Sequence, residues 1–245
     1  MDKDIMNVAA WVKNAYALAF SSIVWWTGIT ALYLTLATLI LGLPFVGGVL
    51  LVFLTPAVIA GVLREAASPR PPLKSPLVRA ADVFIGALRD RDLALSVMSV
   101  ATILLGAWVF LSVVAMVLGV DGRTLAGLFA HRGALAASFT AVLLLIFWGL
   151  QVGLVTTALY VLAGVVLSAL KPVDALERTV ALWRTHPIPI GALGLLLVLP
   201  LILAFYGEPW IRIVVATVTL IPLTLVVYIS YKGLEKSLGA PGASR

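Results

Sequence analysis

The chain has 245 residues, of which 62% are hydrophobic and only 11% charged, whereas soluble domains carry about a quarter charged residues. That balance excludes an ordinary soluble domain, and several uncharged runs exceed the ~18 residues that mark a membrane-spanning helix. The absence of cysteine removes disulfides, thiolate metal sites and thiol catalysis together.

The spans do not alternate polar and apolar residues, so they read as helices and not as strands of a membrane barrel. The opening stretch predicts an amphipathic helix over about 4–20, with Ile5, Val8, Ala9, Val12, Tyr16 and Ala19 sharing one face. Its small-residue "ALA" precedes the next hydrophobic run, so no signal-peptide cleavage site is expected.

An uncharged run of 41 residues follows, Ile23 to Leu63. At about 1.5 Å per residue it would reach roughly 60 Å, twice the hydrocarbon thickness, so it must fold back. The break falls at Leu43-Pro44-Phe45-Val46-Gly47-Gly48, giving spans over about 23–43 and 46–63. Pro56 is expected to kink the second span, with Thr55 satisfying part of the freed backbone. Ala57 and Gly61 offer a small-residue packing face on the same span.

Four prolines between Ser68 and Pro76 read as a stiff extended spacer. A second in-plane helix is expected over about 77–90, with Leu77, Val78, Ala81, Phe84, Ile85 and Leu88 apolar and Arg79, Asp82, Arg89 and Asp90 opposite. A third span follows over about 93–118. Gly133 to Leu170 then gives 38 uncharged residues, long for one crossing and short for two. A third in-plane helix over about 173–184 sets Val173, Leu176, Val180 and Trp183 against Asp174, Glu177, Arg178 and Arg184. The last spans lie at about 188–206 and 212–232.

Basic residues decide the number of crossings. With one crossing at about 138–160 there are six spans, both termini are cytoplasmic, and fourteen basic residues lie inside against three outside. A seventh span would leave eight against nine. The expected fold is therefore all-α, with six spans arranged as three hairpins, each preceded by a cytoplasmic in-plane helix in a single membrane domain. All three units would share one orientation, unlike the inverted repeats of many transporters.

No acidic or basic residue falls in the interior of the six spans, so the buried charge that ion-coupled transport uses is missing. His131 and His186 are the only histidines, and each reads as an interfacial side chain. No catalytic residues, metal ligands or cofactor are expected. Gln151, in Gly149-Leu150-Gln151-Val152-Gly153 beside Trp148, is the strongly polar residue nearest mid-membrane, and serves helix packing or, in the sharper reading, a solute. With Thr55, Pro56 and Gly61 these residues make up the candidate packing or solute-path set.

The net charge of +6 gathers on the cytoplasmic side. Its natural counter-charge is anionic lipid, at about 1 kcal/mol per cation near the surface. Arg64, Arg70, Lys74, Arg79, Arg89, Arg91, Arg178 and Arg184 are the headgroup candidates. Nucleic acid is not an expected partner, because the cations are dispersed over in-plane helices.

The stretch LPFVGGVLLVFLTPAVIAGVLREAASPRPPLKSPLVRAADVFIGAL, residues 43–88, resembles a family of six-span bacterial inner-membrane proteins of uncharacterised activity. The shared features are Pro44, Gly47, Gly48, Thr55, Pro56, Ala60, Gly61 and VFIGAL at 83–88, followed later by DALERTVALWRTHPIPIG at 174–191. The resemblance implies six spans with cytoplasmic in-plane helices in a bacterial inner membrane, and transfers no catalytic residue. The functional expectation is a non-enzymatic accessory or scaffold subunit binding anionic lipid and a membrane partner or a second copy. The alternative is a transporter or channel for a small or lipidic solute.

Overall fold

The computed structural model describes residues 2–44, 46–68, 76–117, 134–206 and 209–237. Every regular element among them is an α-helix: α1 Asp2–Phe20, α2 Ile23–Leu41, α3 Val46–Ala67, α4 Pro76–Arg89, α5 Arg91–Val117, α6 Ala134–Ser168, α7 Pro172–Thr185, α8 Pro187–Tyr206 and α9 Pro209–Ser237. Most of the proline-rich spacer, together with Arg70, Lys74 and His131, lies outside the described residues.

Among the described residues, α2, α3, the Arg91–Leu111 part of α5 and the Ile146–Ser168 part of α6 are long and apolar enough to cross a membrane. A bent pair formed by α7 and α8 would make a fifth. The chain thus has the make-up of a multi-pass helical membrane protein.

Local sequence sets the helix ends. Between α2 and α3 the chain reverses within a few residues, with the Val46 N–H bonded to the Pro44 carbonyl at 2.7 Å and Gly47 N–H to Leu43 at 3.1 Å. A β-carbon at Gly47 would lie 2.1 Å from the Ile40 carbonyl oxygen, so only glycine fits this turn. Asp90 caps α5 by accepting from the N–H groups of Asp92 and Leu93. Pro172 and Pro187 open α7 and α8 at positions where a helix needs no N–H donor. At His186 the axis turns by 110° between α7 and the Pro187–Leu197 stretch of α8.

The uncharged segment after Gly133 resolves as one continuous helix of 35 residues, α6, which runs unbroken through Gly149–Gly153. Neither glycine interrupts the backbone ladder, because nothing in the sequence there removes a donor as proline would.

The packing has a three-fold pattern. Helices α3, α6 and α9 lie against one another at the centre. Each outer helix nests against two of them: α2 on α3 and α9, α5 on α3 and α6, α8 on α6 and α9. The amphipathic helices then cover one end, α4 lying on α3, α7 on α6, and α1 on α9 and α8. Thus α1, at the start of the chain, packs on the last helix.

Each central helix carries a glycine where its amphipathic partner crosses. A β-carbon at Gly61 of α3 would sit 1.8 Å from the Val83 carbonyl oxygen of α4. At Gly164 of α6 it would meet the Ala175 β-carbon of α7 at 3.1 Å, and at Gly233 of α9 the Trp11 indole nitrogen of α1 at 3.1 Å. The first two share a local sequence, Ile59-Ala60-Gly61-Val62 and Leu162-Ala163-Gly164-Val165. Small residues allow backbones to approach closely, which is how membrane helices gain contact without a hydrophobic driving force between them.

Candidate functional site

Two regions gather the residues singled out by the sequence. The first is the contact of α2, α3 and α9 around Pro56, which is buried inside α3. Thr55 donates from Oγ1 to the Leu51 carbonyl at 2.7 Å. Its single proton is thereby committed, so the Tyr33 hydroxyl donates to Thr55 Oγ1 across α2 and α3, at 2.8 Å. The expected relief of the proline-freed carbonyl is not what Thr55 does: Pro56 frees Val52, whereas Thr55 bonds Leu51.

Beside this pair runs a crevice lined by Thr30, Tyr33, Thr55, Val58, Val62 and Thr224, among others, with an accessible volume of about 10 Å³. That is about one water-sized sphere. Gln151 and Trp148 do not line it. Gln151 projects from the side of α6 opposite Gly149 and Gly153, since two residues along a helix is about 200° of rotation. A β-carbon at either glycine would meet no described atom within 4 Å, and the neighbouring Leu150 and Ile146 are exposed. Thr55, Pro56 and Gly61 thus lie together on α3, and Trp148, Gly149, Gln151 and Gly153 on α6 contribute nothing to the crevice beside Thr55.

The second region is the end of the bundle capped by α1, α4 and α7. Here the arginines divide by what they touch. Arg64 donates to the Gly86 carbonyl at 3.2 Å, tying α3 to α4. Arg79 bonds Glu65 through both Nε, at 3.1 Å, and Nη2, and its guanidinium lies 4.4 Å above the Trp25 ring. Arg178 is mostly buried and pairs with Glu235 of α9 at 3.6 Å. These three side chains clamp helices to one another. Arg89 pairs with Asp82 on its own helix at 2.7 Å but stays exposed. Arg91 and Arg184 are exposed and form no ion pair among the described residues.

A polar seam that sequence reasoning missed runs through α6, α7 and α9. Tyr160 and Ser230, both fully buried, share a bond of 2.7 Å. Ser230 donates to the Val227 carbonyl, so Tyr160 is the donor. Further along, Ser168 donates to Glu235 at 2.7 Å and lies 3.3 Å from the Tyr231 hydroxyl. The Trp183 indole N–H donates to Thr157 at 3.1 Å, fastening α7 to α6. The only sequence signal was the presence of Tyr, Ser and Glu at apolar helix positions.

Two of the amphipathic helices, α4 and α7, bury a different face from the one their most hydrophobic residues mark. In α4 the buried side is Val83, Phe84, Gly86 and Ala87, while Val78, Ile85 and Leu88 are exposed. In α7 Ala175, Thr179 and Leu182 are buried, while Val173, Leu176 and Val180 are exposed. In α1 most of the expected face does pack: Val8 and Ala19 are buried, Val12 and Tyr16 are partly covered, Ala15 is buried beside them and Ala9 is exposed, while the side chain of Ile5 lies outside the described ones. Among the described side chains of the expected α4 face, Phe84 is buried and Ala81 is partly covered, while the side chain of Leu77 lies outside the described ones.

Among the described residues no group of three or more His, Asp and Glu is placed to hold a metal ion. The chain matches no family model, no curated protein and no solved structure.

Proposed function

We propose that the protein is a non-enzymatic, membrane-embedded scaffold that holds a partner membrane protein within a leaflet rich in anionic lipid. The reading takes the chain as six crossings in three units of like orientation, with α1, α4 and α7 on the cytoplasmic face of a bacterial inner membrane. It is in keeping with the resemblance of residues 43–88 to six-span inner-membrane proteins.

One observation carries the proposal: among the described side chains, the centre of the bundle is filled. Ala57, Ala60, Tyr160, Ala163 and Leu225, from the three central helices, are fully buried against one another, and Tyr160 and Ser230 hydrogen-bond across α6 and α9. Such a centre suits a rigid framework better than a solute route. Large apolar side chains face outward instead, with Val24, Leu39, Ile103, Phe110 and Leu195 all more than 60% exposed. That surface suits lipid and a partner's helices.

The test is native mass spectrometry of the full chain extracted gently from its own membrane, paired with solute-flux measurements in proteoliposomes. A stoichiometric membrane-protein partner and no flux above empty vesicles is the expected result. Flux that Gln151→Leu or Thr55→Val abolishes would replace this reading with the transport one.

A further inference from the structure

We infer that α4 and α7 form a paired lipid-seating surface, in which the stripes Val78–Ile85–Leu88 and Val173–Leu176–Val180 insert into the headgroup boundary of an anionic leaflet. The inference rests on the scaffold reading only in requiring that the bundle span a bilayer.

The two stripes are the same feature built twice. Aligning Val78 with Val173 brings Ala80 onto Ala175, Asp82 onto Glu177, Ile85 onto Val180, Leu88 onto Trp183 and Arg89 onto Arg184. In both helices the residues fall in three sectors. One sector packs on the bundle through small residues, Ala87 in α4 and Ala175 in α7, both essentially buried. The next is apolar and open, with Val78 at 46% exposure and Val173 at 66%. The third is charged, carrying Asp82 and Arg89 in α4 and Asp174, Glu177 and Arg184 in α7. A helix dissolved in water has no use for the middle sector. A helix lying in a membrane interface needs it, with the charged sector turned to water.

Three observations select a bilayer as the occupant. The helices cross different central helices, at Gly61 and Gly164, each near the C-terminal end of its helix. Both stripes therefore lie at one end of the bundle but on different sides of it, where a plane covers both and a single partner helix does not. Each stripe also continues into the exposed apolar side of the helix that follows, through Leu95 in α5 and Ile188 and Leu195 in α8. The 110° turn at His186 sets α7 roughly across the direction of α8, so if α8 crosses the bilayer, α7 lies along its surface. Arg91 and Arg184, without ion-pair partners among the described residues, and the exposed Lys171 stand beside the stripes at headgroup level. Their sign fits lipid phosphate that carries net negative charge.

The absence of native cysteine makes the test direct. Single-cysteine variants Ile85→Cys, Val180→Cys, Glu177→Cys and Ile103→Cys of the full chain are spin-labelled in nanodiscs of phosphatidylglycerol or of phosphatidylcholine. Immersion depth is read from collision with oxygen against a water-soluble nickel chelate. Labels at 85 and 180 should lie below the headgroups in phosphatidylglycerol, label 177 should stay aqueous, and label 103 should read hydrocarbon. The double variant Arg91→Gln/Arg184→Gln should move labels 85 and 180 toward water in phosphatidylglycerol and leave them unmoved in phosphatidylcholine. Labels 85 and 180 in water while 103 stays deep would overturn the seating surface and leave the scaffold reading intact. Label 103 in water would overturn both. Equal depth in the two lipids, unaffected by the double variant, would overturn the anionic preference.

Discussion

Ala169 ends α6 with a φ of 51°, the one positive value among the described non-glycine residues, and Leu170 N–H bonds back to the Gly164 carbonyl at 3.3 Å. This is the left-handed helix cap that glycine usually occupies, and a β-carbon there costs about 1–2 kcal/mol. Ala169→Gly should therefore raise stability by about 1 kcal/mol, seen as a higher thermal midpoint in detergent. Glycines at the helix crossings predict the opposite sign. Gly61→Ala places a methyl against the Val83 backbone and should cost about 1–3 kcal/mol or prevent folding. Gly149→Ala, whose methyl meets no described atom in the middle of α6, should instead raise stability by about 0.5–1 kcal/mol through alanine's higher helix propensity. Equal effects at positions 61 and 149 would show that the α3–α4 crossing is not the tight contact it is here.

At the level of helices, the side-chain seam is what fixes α6 on α9. A double-mutant cycle of Tyr160→Phe and Ser230→Ala should return a coupling of about 0.5–1.5 kcal/mol, typical of hydrogen bonds between membrane helices. Removing the Glu235 charge as Gln withdraws an ion partner from a mostly buried Arg178 and should cost about 1–3 kcal/mol, partly restored by adding Arg178→Met. Helix type and approximate position were legible in the sequence, because uncharged runs and 3.6-residue periodicity are local properties. Which side of α4 and of α7 packs was not. Hydrophobicity marks the greasiest side, and in this molecule Val173, Leu176 and Val180 are greasy and exposed while Ala175 and Thr179 are modest and buried. In a membrane the closest helix contacts go to small residues, so the greasy side is free to meet lipid. The partners of Arg79 and Arg178 were hidden for a related reason. Arg79 meets Glu65 across the proline-rich spacer, and Arg178 meets Glu235 from a distant helix, pairings that no local pattern encodes. Pro56 was correctly expected inside a helix, but the Tyr33–Thr55 bond beside it depends on how α2 folds back onto α3.

The molecule joins three similar clusters around the central helices α3, α6 and α9, and one of them pairs α1 with α9, far apart in sequence. Deleting residues 1–21 uncovers the α9 surface at Gly233 and removes the buried Val8, Ala15 and Ala19. Stability should fall by roughly 3 kcal/mol, and a synthetic peptide of residues 1–22 added in trans should restore part of it. An unchanged midpoint in the deletion would mean that α1 contributes no packing energy. This closure also sets a timetable for synthesis. Trp11 of α1 leaves the ribosome more than two hundred residues before its seat at Gly233 of α9 is made. At about 5–20 residues per second, α1 waits on the order of ten seconds or longer with Val8, Ala15 and Ala19 uncovered. An amphipathic helix can spend that interval lying on the membrane that the later helices are entering. The nascent protein is thus tethered at α1 while the later helices are still being made, and the docking of α1 onto α9 comes late in its assembly.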